Sequence, residues 1–476
     1  MNEEYRRLEA EAIEVEAKIA CLIGAASEAT DTDGVRLESE LRLLHQRLEG
    51  LRQGMLLIRR AGSRPMRKRE QKFIAATAKK NYSQGFRKQV VRLRGGVTVT
   101  LMLRYYHPAW KEEQVARHRR RRVVPMLHLP GIANGFMPDV RQRMARCVVL
   151  PGSYEEAAAM LATEGLDVCV NTLRTVTAGM GAMLNRLTQS GSVKVSGNVQ
   201  ERCLVLSTDG GRVRLREKRR GKTKKGRKRF RPAWREPRLF MIDAVDEHGR
   251  FAPKFPPIID GTLGSCDLLF RLLLSYLKSL QLKDAKKVLF VAEGAAWIWR
   301  RIPSLIKSLG LAPDQAQQRI DFWHAVEYLG KIADSSKLKG AKKSHWLTIQ
   351  KRRLKNGEIG SVVTSIEELT ARPRTKDQTT WLNYFINHGI THRRMDDALS
   401  TSSGLPIGSG AIESAIRRRF RGQRGQGKQN LRVKSNAACW LRENAETLIR
   451  LRAWIKAGRE EKLFHQTTYV TLELLL

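Results

Sequence analysis

Between Arg202 and Phe420 the apolar runs come in an order that few sheets can accommodate. "RCLVLSTDGG" reads as a strand running into Asp209. "LFMIDAVDEHGRFAPKFPPIID" reads as two further strands joined by a turn at Glu247–Gly249. "SCDLLFRLLLSYLKSLQL" has the helical period, and "KKVLFVAEG" is a fourth strand that stops at Glu293. "AAWIWRRIPSLIKSLG" is a helix that Pro303 must kink or split. "QRIDFWHAVEYLGKIAD" is a short strand passing into another helix. The order is β-β-β-α-β-α-β-α.

A three-strand meander followed by alternating helix and strand is the order of a ribonuclease-H-like fold, so the expected class is mixed α/β with such a core. Fold analogy sets no function by itself; the site must. In that fold the first and fourth strands are neighbours, which would bring Asp209 and Glu293 together. Two close carboxylates repel unless a cation lies between them. Hard oxygen donors of this kind suit two Mg²⁺ or Mn²⁺ ions. A third acid is expected at Glu413, in "PIGSGAIESAIRRRFRGQRGQGK", where Ser409 can cap a helix whose dipole favours an ionised side chain one turn in. Asp321, at the fifth strand, is the reserve ligand, and His324 beside it is either a phosphate-positioning or a structural histidine. Asp243, Asp246 and Asp260 compete, but none falls at a strand end next to Asp209. The plainer alternatives are that Glu293 merely ends a strand and that Glu413 pairs with Arg417 on a surface helix.

The chain of 476 residues has a formal net charge of +41, with 88 Lys and Arg against 47 Asp and Glu. Such an excess calls for a polyanionic partner, and phosphates are the leading one. The cations concentrate in two stretches. After Asp209 come Arg212, Arg214, Arg216, Lys218, Arg219, Arg220, Lys224, Lys225, Arg227 and Lys228, read as an exposed basic loop beside the site. After Glu413 come Arg417, Arg418, Arg419 and Arg421. Either stretch is a phosphate grip or a solvated segment. Trp297, Trp299, Trp323 and Trp440 are core residues or stacking platforms for flipped bases. No apolar run approaches the ~20 residues of a membrane span, and "MNEEYRRLEAEAIEVEAK" is no signal peptide. No membrane partner and a cytoplasmic location are therefore expected. The six cysteines form no CxxC pair, so no zinc is expected.

Seven segments follow. Residues 1–60 carry Leu8, Ala12, Val15, Ile19 and Leu22, then Leu37, Leu41, Leu44, Leu48, Leu51 and Met55, the seams of an antiparallel coiled-coil hairpin that also suits a homo-oligomer. Residues 61–150 read as a basic linker, to about Gln89, and a small β-hairpin around Gly95–Gly96. Residues 151–200 are helix-turn-helix-like, with Ser153 and Glu156 as a capping pair and a second helix suited to reading DNA. Residues 201–334 are the first part of the core, 335–400 a helical insertion, 401–460 the core's completion with its basic helical tail, and 461–476 a C-terminal tail.

"STDGG", "AEGAAWIW", "DFWHAVEYL" and "GSGAIESA" together resemble the motifs of bacterial insertion-sequence transposases of the ISKra type, related to the Mutator-like group. The resemblance covers roughly residues 154–452. It implies a DDE transposase: three acids, matched by Asp209, Glu293 and Glu413, hold two divalent ions for DNA cleavage and strand transfer, and His324 matches a family histidine. It further implies double-stranded DNA partners, namely terminal inverted repeats and target DNA, and a nucleoid-associated bacterial protein. Two departures stand out. The family's cysteine pairs after a "YY" motif are missing from "RYYHPAWKEEQVARHRRRR", and its second acid is normally Asp rather than Glu. A catalytically silent relative that only binds DNA is the rival reading, as is a structural nucleic-acid-binding protein.

Overall fold

The computed structural model describes residues 2–26, 31–77, 81–108, 124–150, 153–191, 193–195, 197–210, 213–222, 226, 228–246, 250, 252, 255–370, 373–396 and 439–469. It forms two compact units, residues 1–184 with 461–476, and residues 185–460.

In the first unit, helices α1 (Asn2–Ala26) and α2 (Asp31–Gly62) pair, burying Leu8, Ala12, Val15 and Ile19 against Leu48 and Leu51. The stripe does not close on the helices alone. Strands β1 (Asn81–Arg92) and β2 (Thr98–Pro108) add Val91, Val99, Leu101 and Leu103 to the same core. Arg7 donates to the Thr98 carbonyl at 2.9 Å and Glu4 accepts from the Thr100 amide at 2.7 Å. The turn between the strands needs glycine: Gly95 and Gly96 have φ of +58° and +70°, and a Cβ on either would strike backbone, of Arg47 or of Gly165.

The linker expected over 62–89 is structured. Helix α3 (Arg64–Thr77) occupies most of it, burying Met66 and Phe73, and β1 begins at Asn81. Only two large apolar residues anchor that helix, so its period is hard to see among the cations. Short helices α4 (Pro125–His128) and α5 (Pro138–Val149) precede α6 (Tyr154–Ala162), whose Ser153 cap accepts from the Glu156 amide at 3.0 Å. Helix α7 (Val170–Gln189) follows a turn at Gly165.

The second unit is built on a mixed five-stranded sheet. Its strands are β3 (Cys203–Gly210), β6 (Arg238–Val245), β7 (Ile258–Thr262), β8 (Lys287–Ala292) and β9 (Ala316–Ile320), in the order β7-β6-β3-β8-β9. β6 runs antiparallel to β3 and β7, whereas β8 and β9 run parallel to β3. β6, β7 and β8 are buried almost throughout, which is why they read as continuous apolar runs: helices cover both faces. On one face Val205, Met241, Ile259, Leu289 and Val291 pack with Ala445, Ile449 and Ala453. On the other, Leu206, Phe240 and Phe290 meet Phe270, Leu273, Ile302 and Leu305. The helices are α8 (Cys266–Ser279), α9 (Ala296–Trp299), α10 (Ile302–Leu309), α11 (Phe322–Ser335), α12 (Gly340–Lys355), α13 (Ile359–Leu369), α14 (Lys376–Phe385) and α15 (Arg442–Lys456); α16 (Glu460–Tyr469) is, but for Glu460, part of the first unit. Pro303 splits α9 from α10. A π-helical turn, Ile386–Thr391, follows α14.

The basic stretch after Asp209 is not a loop. Val213–Lys222 (β4) and Lys228–Arg235 (β5) form an antiparallel ribbon. Val213 and Leu215 fix its root by burial, and the Trp440 backbone bridges β4 through the Arg216 amide and the Arg214 carbonyl, at 2.7 and 3.0 Å. No described helix is long and apolar enough to cross a membrane.

Candidate active site

Three acids stand in register at the carboxyl ends of three adjacent parallel strands. Ser207 pairs with Val291, so two residues further along Asp209 faces Glu293. Ala292 pairs with Ile320, so Glu293 in turn faces Asp321, whose amide donates to the Ala292 carbonyl at 3.0 Å. On its other side Asp209 pairs with Leu239. The carboxyl ends of such strands are where open α/β sheets bind ligands. Glu413, Arg212, Lys224, Lys225, Arg227, Arg417, Arg418, Arg419, Arg421 and the turn at Glu247–Gly249 lie outside the described residues. Among the described residues, no group of three or more His, Cys, Asp or Glu side chains is close enough to hold a metal.

The turn after β8 is braced from two sides. The Trp299 indole donates to the Glu293 carbonyl at 2.7 Å. Gly294 lies flat against Tyr384, where a Cβ would overlap the ring. Tyr384 stacks on Tyr328 with centroids 4.2 Å apart. Burial first, then Tyr328, Asp321 and Glu293, hold the Tyr384 hydroxyl well above the usual phenol range. That hydroxyl has no hydrogen-bond partner among the described residues. Below them His388 touches the Trp299 and Tyr384 rings, and Arg394 lies 4.4 Å over Trp299. Burial, and then the Arg394 guanidinium, lower His388 to about 4, so it is neutral near pH 7. Nothing local in the sequence marks Tyr384, His388 or Arg394 as neighbours of Glu293, because they arrive from the helical insertion.

Asp321 is 1% exposed and caps α11, its Oδ1 accepting from the Trp323 and His324 amides at 2.7 and 3.2 Å. His324 therefore lies in the first turn of α11, with Nδ1 3.7 Å from Glu327. The competing acids are spoken for elsewhere. Asp260 is fully buried in a two-pronged ion pair with Arg450, at 3.0 and 2.8 Å. Asp246 accepts from the Arg250 amide, and Asp243 from the Ala244 amide, each at 2.8 Å. Of the four tryptophans, Trp299 is buried, Trp297 packs edge-on to Phe270, Trp440 braces the ribbon, and Trp323 is 54% exposed. Of the cations expected to grip DNA after Asp209, Arg214, Arg216, Lys218, Arg219, Arg220 and Lys228 are described; they lie on the ribbon, beginning five residues beyond Asp209, with all but Arg214 exposed. In the first unit, Asn171, Thr172 and Thr175 of α7 line an open groove of about 460 Å³ with Arg92 and Asn134.

No protein-family model and no curated protein matches the chain. Among solved structures it is similar to the Drosophila P element transposase strand transfer complex, at 12% identity, covering 77% of this chain and 85% of that one, with a TM-score of 0.24. So loose a likeness carries no argument. The resemblance to ISKra-type transposases rests on the four quoted motifs.

Proposed function

We propose that this chain is a DDE-type DNA transposase of ribonuclease-H-like core, cutting and joining DNA ends by divalent-metal-dependent phosphoryl transfer, as its ISKra-type motifs imply. The observation that carries the reading is the strand register, which sets the backbones of Asp209 and Glu293 opposite each other at the carboxyl ends of neighbouring strands. The sheet order, with the first strand flanked by the second and fourth, supports it. Carboxylates are the hard donors that Mg²⁺ and Mn²⁺ take, and this pair fits that set; Glu413 would complete it. Bound ions of this kind stabilise charge on the attacking and leaving oxygens of an in-line displacement. Asp209 and Glu293 would hold them, and the cations of the ribbon would neutralise phosphates beside the cut. The partners are then double-stranded element ends and target DNA, engaged by a homo-oligomer.

A second reading keeps the DNA and loses the chemistry. Glu293 is one methylene longer than the aspartate usual in such transposases, and Mg²⁺ tolerates little departure from octahedral geometry. Asp321 is poorly suited to replace it, since its Oδ1 is already engaged by two amides.

The test is cleavage and strand transfer on DNA from the gene's flanks in Mn²⁺. Asp209→Ala and Glu293→Ala should each lose more than about a hundredfold, exceeding the cost of removing a supporting residue. Glu293→Asp should retain or raise activity. Parental cutting by Asp209→Ala sinks the proposal, and specific end binding without cutting in either ion favours the silent relative.

A further inference from the structure

The β4–β5 ribbon has two unlike faces. Residues directly opposite one another share a face. One face carries Val213, Leu215 and Glu217, and across from them Arg235, Ala233 and Arg231. This is the packing face: Val213 and Leu215 are buried in the core, and Glu217, the one acid of the two strands, is bonded to Arg235 at 2.6 Å and lies 3.5 Å from Arg231. The other face pairs Arg214 with Trp234, Arg216 with Pro232, and Lys218 with Phe230. It holds cations along one strand, rings along the other, and no acid. The Arg216 guanidinium sits 4.6 Å over Phe230, whereas Trp234 stands 54% exposed.

Trp234 therefore presents an open ring among cations, a surface matched to a partner with both a flat face and negative charge. A second copy of this chain is a poor cover, because the ribbon's two strands carry six and four cations against one acid and the chain itself is strongly basic. Polynucleotide fits the charge. Duplex DNA offers phosphates, but its base faces are already stacked and give Trp234 nothing to lie against. Unpaired bases offer both partners: faces for the ring and phosphates for the facing row of cations. We propose that this face of the ribbon, centred on Trp234, binds single-stranded DNA by base stacking. The inference rests on DNA as the substrate and adds that the chain holds an unpaired stretch a few residues from Asp209.

The experiment is fluorescence anisotropy of the full chain with a labelled oligothymidylate strand and with a blunt duplex of equal length. Trp234→Ala should weaken single-strand binding about tenfold, since stacking on one base is worth that order, and leave duplex binding within about twofold, as phosphate contacts survive. Trp234→Tyr, which keeps a ring, should restore most of the loss. The inference is overturned if Trp234→Ala binds the single strand like the parent, if both affinities fall equally, or if the tyrosine variant is as weak as the alanine one. A shift in self-association on Trp234→Ala, read by sedimentation, would also overturn it, by assigning the face to a second copy. Absence of any DNA binding by the parent defeats the transposase reading itself. Normal duplex binding and cutting with single-strand affinity indifferent to residue 234 defeats the ribbon inference alone.

Discussion

Gly294 shows how one missing side chain can serve a neighbouring acid. Its backbone lies where any Cβ would enter the Tyr384 ring, and a stacked, buried ring cannot step aside as a flexible chain would. Gly294→Ala should cost about 1–3 kcal/mol by overpacking. It should also displace the Glu293 turn, lowering cleavage beyond the stability loss. Adding Tyr384→Leu should recover part of both, and a double-mutant cycle by thermal melts and cleavage rates reads the coupling. If the two substitutions add independently, the brace is not functional. Asp209 and Glu293 were legible as residues because a lone acid closing an apolar run is conspicuous. Tyr384, His388 and Arg394 were not, since their place is set by packing of a distant segment.

At the scale of elements, β7 and α15 are joined by a buried network. Asp260 accepts from Arg450, from the Tyr276 hydroxyl and from the Gly261 amide; Arg450 also donates to Asn185 at 2.7 Å. Burial, and then the Asp260 carboxylate, hold the Tyr276 hydroxyl well above the ordinary phenol range. Breaking the pair strands a charge in the core, so Arg450→Met should cost about 3–5 kcal/mol. Denaturant unfolding checks this, and a loss under about 1 kcal/mol would refute the network's importance, being the range of an exposed pair. The sequence showed Asp260 only as one acid among several; that it is consumed by Arg450 depends on a helix from the end of the unit. The ribbon and α3 were misread for a related reason. A period is visible when apolar and polar residues contrast; cations fill most positions of "RVRLREKRRGK", and in "RPMRKREQKFIAAT" they crowd the first nine residues, where Met66 is the one large apolar side chain. Only the contacts that bury Val213, Leu215, Met66 and Phe73 settle those elements.

For the whole molecule, charge is the dominant quantity. If DNA is the substrate, as proposed, a net +41 should make its affinity steeply dependent on salt. If six or more phosphates are engaged, raising salt from about 50 to 200 mM should cost about a thousandfold in affinity, and Arg216→Ala with Lys218→Ala should shallow the log–log slope by about 0.9 per lost contact. Binding measured across a salt series checks both, and a flat dependence would remove the phosphate role. The mixed α/β class, the order of the five strands of the main sheet and the acids that close them are readable from the residues alone, because periodicity and run length are local properties. The sequence also sets the net charge of +41 that a polyanionic partner would match, because charge is additive. The tertiary structure alone decided which strands are neighbours, that Asp321 stands beside Glu293 yet spends an oxygen on its helix cap, and that the basic stretch is a ribbon with one aromatic face. Those depend on register and burial, which are set by contacts between residues far apart in the chain.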